Sequence, residues 1–341
     1  MKKRVTILIL ACILLAAFVV DITPAFKPTP LKLIIPKGWP QPQKNIFEGN
    51  PLTEEGFQLG KKLFYDGRLS KDGNFACAGC HQQFAAFASY DHDFSHGFNN
   101  TFTTRNAPGL FNLAWMPSLH WDGGINHIEV QPLAPLTAPN EMAENIDSVL
   151  IKLRKDAAYP KLFRAAFGTS VINSQQMLKA LAQFTGSIVS YNSKYDKIQK
   201  GEAAFTPAEQ KGYDFFKVNC SGCHTEPLFT DNSFRNNGMA INPFLNDYGR
   251  MKITGKTSDS LKFKVPSLRN VTLTFPYMHD GRYYSIGQAI DHYRSGIIST
   301  QPTLDTALKN RIAMSNAEKN NLIYFLYTLT DTTLTKSARF H

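Results

Sequence analysis

Apolar positions recur at helical spacing through most of this chain, while alternating β-branched runs are scarce, so the pattern predicts a mainly α fold. The clearest helix starts carry their own caps. Thr206-Pro207-Ala208-Glu209 is a capping box with proline at the first helical position, and it launches a helix over Gln210 to Val218. Thr53-Glu54-Glu55 puts acids in the first turn of a helix whose apolar face is Phe57, Leu59, Leu63 and Phe64. Ser315-Asn316-Ala317-Glu318 caps a final helix with Leu322, Ile323, Phe325, Leu326 and Leu329 inward. Ile146 to Leu153 and Met177 to Val189 have the same spacing, and their apolar side chains read as core.

Two stretches break this pattern. Met1-Lys2-Lys3-Arg4 followed by the apolar run Val5 to Val20 has the layout of an export signal or a retained membrane anchor, residues 1–20. Sixteen apolar residues fall short of the about twenty that span a bilayer. Cys12 weakly resembles a lipidation site, but the apolar run continues for eight residues past it. Residues 21–45 are rich in proline and lysine and read as an extended tether to the ordered body. Export fits a periplasmic protein, membrane-tethered if the anchor is kept.

The body repeats internally. Pro108-x-Leu110-x-Asn112 lies fourteen residues ahead of Asp122-Gly123, and Pro266-x-Leu268-x-Asn270 lies fourteen ahead of Asp280-Gly281. The residue before each Asp-Gly is Trp121 in one copy and His279 in the other. Ahead of each copy stands a Cys-x-x-Cys-His: Cys77, Cys80 and His81, then Cys220, Cys223 and His224. That spacing lets two thiols add to the vinyl groups of one haem while the histidine reaches the iron. A four-cysteine zinc site is the competing reading, and it leaves both histidines unexplained. Two fused cytochrome c-like haem domains, residues 46–200 and 201–341, account for the repeat.

Composition supplies ample core, with 43% hydrophobic and 12% aromatic residues. The formal charge of +10 does not argue for nucleic acid, because the basic residues are scattered and export removes that partner. Haem propionates offset part of the charge, and the remainder suits an acidic redox partner or a solvated surface.

Several linked motifs resemble the bacterial dihaem cytochrome c peroxidase family, which includes the MauG-type enzymes. They are Leu59-Gly60-Lys61-Lys62-Leu63-Phe64-Tyr65-Asp66, Arg105-Asn106-Ala107-Pro108, Trp121-Asp122-Gly123, Gln131 with Pro135, and Pro139-Asn140-Glu141-Met142. Val265-Pro266-Ser267-Leu268-Arg269-Asn270 and Pro276-Tyr277-Met278-His279-Asp280-Gly281 complete the set, and the resemblance runs from about Asn50 to Thr330.

The resemblance implies roles. His81 and His224 are the proximal iron ligands, Glu141 and Gln131 belong to the distal peroxide pocket, and Trp121 lies between the haems. Asn106, Thr274 and Pro276 match a calcium site that would depend on carbonyl oxygens and water. Hydrogen peroxide is the implied oxidant, a small c-type cytochrome or cupredoxin the electron donor, and a homodimer the implied assembly.

Two departures from the family's pattern matter. Where its reductively gated peroxidases carry a distal histidine, this chain has Phe98, with His96 offset by two and His92 further back. The first haem is therefore expected to be open to peroxide without a reductive switch, with His96 the competing ligand. At the second haem, Tyr293 stands where those enzymes place an axial methionine, as in the MauG-type enzymes. Phenolate ligation favours oxidised iron and methionine raises the potential; Met278, Met251 and His292 compete for that position. The leading expectation is an exported peroxidase. Its rivals are MauG-like oxidation of a partner protein and a non-enzymatic dihaem electron carrier.

Overall fold

A computed structural model describes residues 26–341. The export signal or anchor and Cys12 lie outside the described residues. Among those described, no helix is long and apolar enough to cross a membrane.

Helices dominate, as the periodicity predicts. Helix α1 (Glu54–Phe64) starts at Thr53, whose hydroxyl accepts from the Gly56 amide, and buries Phe57, Leu59, Leu63 and Phe64. It packs against α4 (Ser174–Gly186), with α2 (Ile146–Lys155) and α3 (Tyr159–Phe167) beside them. In the second half, α5 (Lys194–Gln199) precedes α6 (Pro207–Asn219), which carries the expected Thr206/Glu209 capping box. Helix α6 lies against α8 (Asn316–Tyr327), with α7 (Ile286–Asp291) alongside. Among the described residues, sheet is confined to two antiparallel two-residue strands, β1 (Phe234–Arg235) and β2 (Phe263–Lys264), with Phe234 opposite Lys264.

In both halves, the helix ahead of the Cys-x-x-Cys-His turn crosses its partner through a glycine. A Cβ on Gly60 would lie 1.9 Å from the Ala180 carbonyl oxygen, and one on Gly212 would lie 2.0 Å from that of Asn321. Only the missing side chain allows the backbones so close.

Two main hydrophobic cores result, and they do not divide the chain at one point. The first holds Phe57, Phe64, Phe87, Phe163 and Phe184, together with Leu334. The second holds Tyr195, Phe216, Phe229, Phe325 and Leu329. Tyr195 thus joins the second core ahead of residue 201. The helix at Ser315 is also not the final one, since a short helix at Thr332–Thr335 follows it and returns to the first half. There Gln83 Nε2 donates to the carbonyls of Leu334 and Ser337, Tyr65 donates to that of Phe340, and the Phe340 ring packs on Phe57 and Phe87.

The proline-rich stretch departs from the tether expectation over its described part. It is extended but seated on the body: the Leu31 amide donates to Leu52, and Thr29 donates to the Glu55 carboxylate. Trp39 stacks edge-on against Trp115 at 5.2 Å and lies 4.5 Å from the guanidinium of Arg269. Arg269 is fully buried and paired bidentately with Asp196 at 2.8 and 2.9 Å.

The repeated asparagines explain themselves. Asn112 and Asn270 both adopt left-handed backbone, which asparagine tolerates, and both side chains converge on Ser190. Ser190 also donates to Asp331, so one serine ties both copies of the repeat to the returning chain.

Candidate functional site

The two Cys-x-x-Cys-His segments are built alike. Cys77–Cys80 forms a single helical turn after an extended residue, and the His81 amide closes it on the Cys77 carbonyl. The His224 amide does the same on Cys220. All four cysteines are free, and no group of three or more His, Cys, Asp or Glu side chains converges as a metal site among the described residues. A shared four-cysteine zinc site is thereby excluded there.

Each histidine is fixed by one ring nitrogen. His81 Nδ1 donates to the Phe87 carbonyl at 2.9 Å, and His224 Nδ1 donates to the Phe229 carbonyl at 3.1 Å. This tautomer leaves Nε2 free to ligate, with the other nitrogen orienting the ring. Burial pushes the His81 ring down to about 4 and lowers that of His224, so both are neutral and competent to bind metal. Backbone oxygens of Pro108 and Pro266, the first residues of the repeated Pro-x-Leu-x-Asn, lie beside the two rings. Burial also pushes the Cys77 and Cys220 thiols up to about 12. Two half-buried, uncrosslinked thiols one turn apart beside a neutral histidine with a free Nε2 are the donor set a covalently attached haem requires, and the set occurs twice. The residues fit the group.

Phe87 and Phe229 were not legible as functional residues. They act through carbonyl oxygens in left-handed backbone, φ 59° and 57°, and no side-chain pattern encodes that. Their only trace is their distance from the histidine, six and five residues.

Glu141 lies beside the first pair of thiols. Its charge bears on both Cys77 and Cys80, its carboxyl has no hydrogen-bond partner among the described residues, and burial raises its pKa. Its carbonyl accepts from the Phe98 amide at 2.7 Å. That approach depends on Gly97, where a Cβ would fall 2.1 Å from the Asn140 carbonyl oxygen. Phe98 and Glu141 therefore stand on one wall. Ser95 adds a buried hydroxyl beside Cys80. His92 and His96 are exposed, and the His96 ring rests against Phe102 at 4.7 Å, so the competing ligand at the first haem faces solvent. Gln131 is half-buried, and the Pro135 carbonyl accepts from Met142, next to Glu141.

Trp121 joins the halves. Its indole donates to the Asn106 carbonyl at 2.8 Å, and its own carbonyl accepts from the amide of Lys264 in β2 at 2.7 Å. The Asn106 amide donates in turn to the carbonyl of His279, the repeat's counterpart of Trp121. Arg105, one residue earlier, pairs with Asp122 at 2.6 Å and bidentately with Asp247 at 2.6 and 2.9 Å. These bonds hold the Asp247 carboxyl well below the usual carboxylate range. Of the residues matched to calcium, Asn106 donates through its side chain to the carbonyls of His92 and Asp93, the Thr274 hydroxyl donates to Val271, and Pro276 follows a cis bond.

Tyr293 lies at the second pair of thiols. Burial raises its phenol, and the charges of Cys220 and Cys223 add to the rise. It sits in a π-helical turn over His292–Gly296, a widened backbone frequent at functional sites. His292 is buried with both ring nitrogens engaged, to the Asn237 carbonyl at 2.9 Å and the Tyr283 hydroxyl at 3.4 Å, so it is not free to ligate. The Met278 sulfur accepts from Asn237 Nδ2 at 3.6 Å.

A family profile described as di-haem cytochrome c peroxidase matches residues 54–204. The chain is similar to the methylamine utilization protein MauG of Methylorubrum extorquens, at 36% identity over 300 residues, which cover 86% of this chain and 82% of that protein. Similarity to cytochrome c551 peroxidase of Nitrosomonas europaea is 30% over 307 residues, covering 85% and 84%. Among solved structures, a MauG-like protein associated with microbial copper homeostasis aligns with a TM-score of 0.83 at 34% identity, over 91% of this chain and 99% of that one.

Proposed function

We propose, from the premise that this chain belongs to the di-haem cytochrome c peroxidase family, that it is an exported peroxidase reducing hydrogen peroxide with electrons from a small redox protein. Members of that family are peroxidase oxidoreductases with two c-type haems. Cys77, Cys80 and His81 would hold the first haem, and Cys220, Cys223 and His224 the second, each within its own domain. Bound there, haem iron supplies the peroxide-binding position and the redox equivalents.

The protein supplies protons, orientation and separation from water. Reduction of peroxide to two waters consumes two electrons and two protons. Glu141 is the group assigned to move a proton: in its neutral form it donates to the departing oxygen, and as carboxylate it accepts from incoming peroxide. The observation that carries this reading is its desolvated carboxyl, unpartnered among the described residues, beside Cys77 and Cys80. Gln131 would orient the substrate from the same pocket. Trp121, bonded to both halves, is the residue through which electrons from the second haem would pass. A small c-type cytochrome or cupredoxin is the proposed donor, and the chain's excess positive charge favours an acidic one. A periplasmic location, a homodimer and a calcium ion near Asn106, Thr274 and Pro276 belong to the same reading and rest on the family resemblance.

One observation favours a second reading, oxidation of a partner protein as in the MauG-type enzymes: the Tyr293 phenol beside Cys220 and Cys223. Adding peroxide to the purified haem-loaded protein separates the two. Steady oxidation of a reduced small cytochrome supports the peroxidase. A persistent change in the Soret and near-infrared bands without cytochrome turnover supports the second reading. Absence of any response to peroxide would refute both and leave an electron carrier.

A further inference from the structure

The second site holds two side chains suited to ligate iron, Tyr293 and Met278, and one amide touches both. Asn237 Nδ2 donates to the Met278 sulfur at 3.6 Å, and the same side chain lies beside the Tyr293 phenol, where it acts to lower the phenol's pKa against the rise that burial imposes. An N–H aimed at a phenol oxygen stabilises the phenolate, the form that binds metal. An N–H aimed at a thioether occupies a lone pair that would otherwise be offered to iron.

Asn237 is itself held on every side. Its carbonyl accepts from His292 Nε2 at 2.9 Å, which makes His292 Nδ1 the acceptor for Tyr283. Asn236 is anchored through Nδ2 to Gln301 and Thr303, both at 2.9 Å. The Gly238 amide donates to Asn236 Oδ1, and the Gly238 carbonyl accepts from Ile298, both at 2.8 Å. Gly238 has left-handed backbone at φ 76°, and a Cβ there would fall 2.6 Å from Ile297. His292 precedes Tyr293 inside the π-helical turn, so the bond to Asn237 also fixes the backbone that aims the phenol.

We infer that Asn237 selects the axial ligand of the second haem, holding Tyr293 toward the iron position and the Met278 sulfur away from it. This rests on the reading that Tyr293 is that ligand. Asn237 is a positioning residue: it acts through the two side chains beside it, and touches no substrate. Phenolate favours the oxidised metal and thioether the reduced one, so one amide decides whether the second haem is a low- or a high-potential centre.

The test uses ferric spectra and reduction potentials of the haem-loaded protein, with no activity readout. Asn237→Leu keeps the branched shape of the side chain, though not its volume, and removes both N–H donors. It should introduce the methionine charge-transfer band and raise the second haem's potential, and Asn237→Leu combined with Met278→Leu should abolish the band. If Asn237→Leu does not accumulate, Asn237→Asp removes the same donors at unchanged size and carries the same expectation. An Asn237 variant with the wild-type spectrum, or with water in place of methionine, overturns the inference. Tyr293→Phe distinguishes the failures. If it changes the ferric spectrum, the ligand reading stands and only the role of Asn237 is lost; if it does not, the ligand reading itself has failed.

Discussion

Replacing Glu141 by glutamine keeps the size of the side chain and removes its exchangeable acid. The wild-type carboxyl is desolvated, has no hydrogen-bond partner among the described residues and bears on both Cys77 and Cys80, so the change removes a proton from a site with no evident substitute. The nearby histidines, His92 and His96, are exposed. General acid–base groups contribute about 10²–10⁴-fold. Without a substitute the loss should be at least about 100-fold, roughly 2.7 kcal/mol of barrier. Stopped-flow mixing of haem-loaded protein with peroxide, followed in the Soret band, reads the rate directly. Both haems and the resting ferric spectrum should survive.

The pH dependence gives an independent check. Burial raises the Glu141 pKa, so its acid form persists above the ordinary carboxylate range and is lost as pH rises through the raised value. A wild-type step that needs the acid form should slow across that window, and the glutamine variant should not follow it. Stability moves the other way. A raised folded pKa contributes stability that is complete below the unfolded value and lost as pH rises through the folded one. The variant should therefore be at least as thermostable as wild type at pH 7. A rate loss below about tenfold, or an unchanged pH profile in the variant, would refute the assignment of Glu141 as the proton-moving group.

Cys77→Ala with Cys80→Ala should remove only the first haem, and all rapid peroxide reactivity with it; intact mass will show whether one haem remains. Gly60→Ala or Gly212→Ala forces a Cβ to within about 2 Å of a partner helix's carbonyl oxygen and should cost about 1–3 kcal/mol in thermal or denaturant unfolding. Gly287→Ala, whose Cβ would meet only ordinary contacts at 3.4 Å, should be neutral or slightly stabilising, which makes it the control. Arg105→Met removes the shared partner of two mostly buried carboxylates, Asp122 and Asp247, leaving Asp247 only the pair with Lys252, and should destabilise by about 3 kcal/mol. Because Arg105 depresses the Asp247 pKa, that stabilisation is present above the unfolded value of about 3.9 and lost as pH falls through the folded one, so the deficit should shrink in acid.

What the sequence made legible was whatever side chains encode locally. The helix at Pro207 begins where its capping box says, and the one after Thr53 where its acids say. The paired thiols and their histidines stand where their spacing puts them. Glu141 comes to Cys77 and Cys80 although sixty residues of loop and short helix intervene, and only the resemblance to a family pointed there. What stayed hidden was carried by backbone groups or distant pairing. Phe87 and Phe229 present carbonyls, which no residue type advertises. Asn237 gains its importance from Met278 and Tyr293, far along the chain. Trp39 was masked by its proline-rich surroundings, although an indole with Leu31 and Leu33 nearby is enough to seat the segment on the body.

The return of residues 331–341 to the first half imposes an order on biogenesis. Phe340 packs on Phe57, Phe87 and Phe184, and Leu334 enters the same core, yet both are made after everything else in that core. While the second half is still being synthesised, the aromatic cluster remains open on the face that Phe340 will cover. Cys77 packs directly against that cluster, and Gln83, two residues past His81, is pinned only by Leu334 and Ser337. The first pair of thiols thus borders an unfinished core until residues 331–341 have been made.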